Sequence, residues 1–142
     1  MIERTPADLK AARELCGLSQ QALADLLSVN KRSVKRWERG DNPAPQDAWD
    51  VIDRQLERHD AAVEYADMLL DQMEQADNLP SEVTLTYWRD QAEYDAHGRD
   101  KGYYGCANAN ARTVADVLRA NGVLCSFRYF DGGAVSTPES RY

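Results

Sequence analysis

Three helix-capping residues, Thr5, Ser19 and Asn30, each stand directly ahead of an amphipathic stretch within the first forty residues of a 142-residue chain. Pro6 follows Thr5 at the first helical position, where its missing N–H costs nothing, and Asp8 places an acid in the first turn. Leu9, Ala12 and Cys16 recur at helical spacing until Gly17 stops the run. A second helix, Gln20–Leu27, supplies Ala22, Leu23, Leu26 and Leu27 as apolar surface. Ser28-Val29-Asn30 is a short connection to a third helix, Lys31–Arg39, which ends at Gly40. Helices this short, joined this tightly, make a compact unit, and Asp41-Asn42-Pro43-Ala44-Pro45 cannot continue it.

From Gln46 to about Asp77 the pattern changes. Trp49, Ile52, Leu56, His59, Val63, Ala66, Leu70 and Met73 are separated alternately by three and four residues, which is a heptad seam along one long helix. Residues 47–77 hold ten Asp/Glu and only Arg54 and Arg58, so the other faces are acidic. Such a seam packs either on its own domain or on a second helix across a dimer. Its narrowness favours the intermolecular use, with Ile52, Leu56, His59, Val63 and Leu70 as the dimerisation residues.

Asn78-Leu79-Pro80-Ser81 breaks that helix, and Val83–Trp88 alternates like a half-buried strand. A short helix around Gln91–Ala96, a Gly/Tyr loop Gly98–Gly105 and a helix from about Ala109 to Ala120 follow, stopped by Asn121-Gly122. Val123–Phe130 reads as a second strand with Val123, Cys125, Phe127 and Tyr129 facing one way. The chain from Asp131-Gly132-Gly133 onward reads as a tail.

Charge decides whether nucleic acid is a sensible partner. The chain carries 17 Lys/Arg against 24 Asp/Glu, a net −7, but unevenly. Residues 1–45 hold eight basic and six acidic groups, giving +2, whereas residues 46–142 hold nine and eighteen, giving −9. Ser28–Gly40 alone contains five bases and one acid. Salt screens fields beyond roughly 8–10 Å, so the local patch outweighs the total. Val34 and Trp37, three apart, share one face of the third helix and can bury against the first two. Lys31, Arg32, Lys35, Arg36 and Arg39 then project from a rigid rod of the width that fits the major groove.

The stretch Leu18–Gly40, with Leu18-Ser19-Gln20 opening the second helix, Leu23-Ala24 in its middle and Trp37-Glu38-Arg39-Gly40 closing the third, resembles the Cro/CI-type (XRE) helix-turn-helix family over about residues 5–45. The resemblance implies that Lys31, Arg32 and Arg36 contact base edges and that Gln20, with Ser19 beside it, contacts phosphate. Lys35 and Arg39 look like backbone-positioning charges. It also implies that Glu38 pairs with Arg13 to hold the fold. Ser28 departs from the family, which often has glycine in this turn. The fold class is therefore mainly α: a helix-turn-helix bundle over 1–45, a long acidic helix over 46–79, a small α+β strand–helix–helix–strand module over 80–131, and a tail over 132–142. Its layout is similar to certain anti-CRISPR-associated autorepressors, though no motif residues carry that likeness.

These readings point to a sequence-specific DNA-binding regulator, a homodimeric repressor on a two-fold operator with G-containing half-sites, because Arg and Lys pair best with guanine. An antitoxin, neutralising a protein partner with its C-terminal part, and a regulator answering to a small-molecule effector are the alternatives. Catalysis finds little support: His59 lies on the seam, His97 ends a helix, and no hydroxyl or thiol has an evident base beside it. Cys16, Cys106 and Cys125 lack the spacing of a zinc site or a disulfide framework, so no cofactor is expected and a cytoplasmic setting fits. No apolar run is long enough to span a membrane.

Overall fold

The computed structural model describes residues 3–76 and 82–135. The chain forms two compact units, residues 1–57 and 58–142. The first contains α1 (Pro6–Leu15), α2 (Gln20–Leu27), α3 (Lys31–Arg39) and the opening of α4 (Gln46–Gln75). The second contains the remainder of α4, then β1 (Glu82–Tyr87), α5 (Gln91–His97), α6 (Tyr104–Ala120) and β2 (Leu124–Tyr129). The molecule is mainly helical, with a small sheet, as its patterning implies.

The three expected caps are present. Thr5 Oγ1 accepts from the Asp8 N–H at 3.1 Å while Asp8 Oδ2 accepts from the Thr5 N–H at 2.8 Å, a reciprocal box. Ser19 Oγ accepts from Ala22 N–H at 2.9 Å, and Asn30 Oδ1 from Ser33 N–H at 3.1 Å. The helix ends share a single device. After α1, Leu18 N–H donates to the Arg13 carbonyl and Gly17 N–H to Glu14, with Gly17 at φ 76°. After α3 the same pair runs from Asp41 to Arg36 and from Gly40 to Trp37, with Gly40 at φ 85°. After α2 it runs from Val29 to Ala24 and from Ser28 to Asp25. Here the left-handed position, φ 55° and ψ 39°, is occupied by a serine. This closure needs a left-handed residue, and only glycine adopts that conformation without a Cβ clash.

Within the first unit α3 packs on both α1 and α2. Leu9, Leu18, Leu23, Ala24, Val34 and Ile52 are fully buried there. Arg4 is ion-paired to Asp53 and lies 4.5 Å from the Trp49 ring, which ties the first turns of α4 to the segment ahead of α1.

In the second unit β1 and β2 pair in parallel, in register from Glu82↔Leu124 to Tyr87↔Tyr129. Parallel neighbours need a crossover, which α5 and α6 supply. Ala62, Ala66 and Leu70 of α4, Leu85 of β1 and Val114, Ala115 and Leu118 of α6 form one core cluster. The alanines let α4 come close. A second cluster gathers Trp88, Tyr94 and Ala107, flanked by Tyr104, Phe130 and Val135.

Helix α6 begins at Tyr104, five residues ahead of the start expected from the sequence. Two distant side chains explain the difference. Gln91 Oε1 accepts from the Tyr104 N–H at 3.0 Å, and Gln91 Nε2 donates to the Gly102 carbonyl at 3.0 Å, so α5 caps α6 from outside. Asn108 Oδ1 accepts from the Trp88 N–H at 2.8 Å while Asn108 Nδ2 donates to the Trp88 carbonyl at 2.9 Å. Asparagine is a poor helix former because it competes for backbone hydrogen bonds. Here that tendency is satisfied against another element, inside the core. The expected break at 78–81, the last turn at Asp77 and the tail from 136 lie outside the described residues.

Replacing Ser28 by glycine is expected to stabilise the protein by about 1 kcal/mol, because the left-handed strain disappears while both hydrogen bonds remain. Urea unfolding of the two proteins side by side checks it; equal midpoints would show the strain relieved some other way.

Candidate nucleic-acid interface

Helix α3 turns about 100° per residue, so Lys31, Arg32, Lys35, Arg36 and Arg39 fall within an arc of roughly 140°. Val34 and Trp37 sit on the opposite side and are buried. Lys31, Arg32, Lys35 and Arg39 are exposed and Arg36 is half-buried. Among the described residues no acid pairs with Lys31, Arg32, Lys35 or Arg36. Arg39 meets Asp41 at 2.9 Å, in a pair exposed on both sides and therefore easily exchanged for another anion. The Asn30 cap leaves the positive end of the helix dipole beside Lys31 and Arg32.

Behind this face lies a buried hydrogen-bonded network. Arg13 of α1 grips Glu38 of α3 through Nε at 2.6 Å and Nη2 at 3.0 Å, a two-point contact, and its Nη1 donates to the Leu18 carbonyl at 2.8 Å. The two side chains are only 9% and 4% exposed. Gln20 of α2 donates Nε2 to Glu38 Oε1 at 3.1 Å. All three helices of the bundle meet at this carboxylate. The Arg13–Glu38 pair stands as the family resemblance implies. The link to Gln20 was not legible, because nothing in the spacing of residues 20 and 38 signals it. Gln20 therefore faces inward with one amide hydrogen, and Ser19 is occupied as the α2 cap.

The seam residues divide between the two units. Ile52 is buried within the first unit, and His59 and Leu70 within the second, where His59 Nδ1 lies 3.4 Å from Thr113 Oγ1. Leu56 and Val63 are half-buried. A three-four spacing states that one stripe of a helix is covered but not by what; here the chain itself covers most of it.

Among the described residues no group of three His, Cys, Asp or Glu side chains could hold a metal ion, and no helix is long and apolar enough to cross a membrane. No disulfide joins the cysteines. Burial pushes the Cys125 thiol up, against an opposing pull from Arg119, which keeps it a poor nucleophile. His97 ends α5 and stacks on Phe130 at 4.5 Å.

Comparison with known proteins agrees with the geometry. A family model described as Helix-turn-helix matches residues 9–53, about a third of the chain, taking in α2, the turn and α3. No curated protein matches the chain.

Removing Arg13 leaves Glu38 buried without its counter-charge. Arg13→Met is expected to cost about 3–5 kcal/mol, whereas Arg13→Met/Glu38→Met, which removes both charges, is expected to recover most of that loss. Thermal and urea unfolding of wild type, single and double variant test this; a single variant as stable as wild type would mean the pair does not brace the bundle.

Proposed function

With residues 9–53 placed in the Cro/CI-type helix-turn-helix family, a family of DNA-binding regulators, we propose that the protein is a sequence-specific transcription regulator, acting as a homodimeric repressor that sets α3 in the major groove. The observation that carries this reading is the cationic arc of α3, in which Lys31, Arg32, Lys35 and Arg36 have no acidic partner among the described residues, on a helix whose opposite side is locked by Val34, Trp37 and the Arg13–Glu38 pair. A helix braced in this way meets DNA with its side chains already placed. Lys31, Arg32 and Arg36 reach base edges, Arg favouring guanine O6 and N7. Ser19, Gln20, Lys35 and Arg39 meet phosphates, Gln20 with the amide hydrogen that Glu38 does not take.

One such helix reads only a few base pairs. A second copy on the next turn, about 34–36 Å away, supplies the remaining affinity and makes the operator two-fold. Occupancy of a promoter then represses without any activating surface.

Selection of bound sequences from a random DNA library, for wild type and for Arg32→Ala/Arg36→Ala, tests the reading. A two-fold, G-containing motif enriched by wild type and lost in the variant is expected. No enrichment by wild type, or the same motif from both proteins, would overturn it. On the selected site, Arg36→Ala is expected to relax one base pair by about 1–3 kcal/mol. Lys35→Ala should instead weaken every sequence alike and flatten the salt dependence by about one unit of slope. Titrations at several salt concentrations separate the two effects, and identical losses would refute the division of roles.

A further inference from the structure

The second unit carries a built surface that the DNA-reading role does not use. Tyr87 of β1 lies 5.3 Å from the Phe127 ring and 6.4 Å from the Tyr129 ring of β2. Three arginines rim these rings. Arg119 sits 5.6 Å over Phe127 and donates to the Cys125 carbonyl at 2.9 Å. Arg89 sits 4.6 Å over Tyr129 and donates to the Phe130 carbonyl at 3.0 Å. Arg112 is hydrogen-bonded to the Tyr87 hydroxyl. The arrangement is ordered in advance yet uncovered: Phe127 and Tyr129 are 38% and 52% exposed. Aromatic rings and arginine are the residues most enriched at protein contacts, and ordering them beforehand lowers the entropy cost of docking.

The same unit presents the complement. Residues 58–142 hold eight basic and fourteen acidic groups, so cations gathered on one surface leave an excess of acid elsewhere. Glu64, Asp67 and Asp71 of α4 are exposed, and among the described residues none of them has a basic partner. Met68 stands among them, 44% exposed on an otherwise polar strip. An acid-rimmed methionine fits an arginine-rimmed aromatic array in both charge and kind, thioether sulfur against ring.

We propose that this arginine–aromatic face is where a second copy of the chain docks, receiving the acidic Met68 strip of that copy while its own strip enters the other's face. Two equivalent contacts about one axis are what a two-fold dimer requires. The inference rests on the dimeric reading above and names the surface that makes the dimer.

Solution mass by light scattering tests it on the full chain. Wild type is expected at twice 16.0 kDa in low salt, falling toward 16.0 kDa as salt rises. Arg112→Glu/Arg119→Glu and Asp67→Arg/Asp71→Arg are each expected at half the wild-type mass, and combining all four substitutions should restore the dimer. Met68→Asp, on an exposed helical position, gives a further monomeric variant with little demand on folding, which circular dichroism confirms for each protein. A wild type that stays monomeric, charge-reversed variants that stay dimeric, or a folded four-substitution variant that stays monomeric would each overturn the docking face. DNA selection run alongside separates the two proposals. A wild type that is dimeric and enriches a two-fold motif, with charge-reversed variants that stay dimeric, sinks only the docking face; a dimer of the expected behaviour that enriches nothing sinks only the DNA reading.

Discussion

Five like charges on a nine-residue helix repel one another, and α3 holds them because its other side is fastened. The fastening is the Arg13–Glu38 pair. A buried ion pair adds little net stability over apolar packing, since desolvation offsets much of the attraction, but it tolerates only one geometry. Glu38 lies at the margin of the cationic arc, and its carboxylate answers to α1 through Arg13 and to α2 through Gln20. Any rotation of α3 about its axis breaks these contacts. The network thus sets which cations face outward, and the buried Val34 and Trp37 supply the apolar energy that the pair does not.

The second unit uses neutral groups for the same purpose. A sheet of two parallel strands offers few hydrogen bonds and needs helices to cover it. Asn108 takes the place of a missing strand neighbour, holding both backbone groups of Trp88 just past the end of β1. Gln91 does the equivalent at the start of α6. Both carboxamides make two-point contacts, which fix direction as well as distance.

What was legible in the sequence follows the range of each interaction. The starts and stops of α1 to α3 were readable because cap and helix lie within four residues of one another, and the strained turn at Ser28 was readable for the same reason. The start of α6 was not, since its cap comes from thirteen residues away and Asn108 meets Trp88 twenty residues back. The α4 seam shows the intermediate case: the spacing marks the stripe at Ile52, His59 and Leu70 as apolar surface to be covered, and all three are buried, but periodicity does not name the cover. Nor could the array around Tyr87 be read, because its rings come from two strands while its arginines come from α6 and the residue after Trp88.

The parallel register has a consequence in time. Every residue of β1 pairs with one 42 positions later, so no strand hydrogen bond forms until α5, α6 and β2 have all left the ribosome. The loop that must close is long, and its entropy is lost before any sheet contact repays it. The first three helices close through turns of a few residues and face no such wait. A nascent chain therefore carries a finished cationic helix bundle while the rest is still emerging, and the order in which its two units mature is written into the spacing of two six-residue strands.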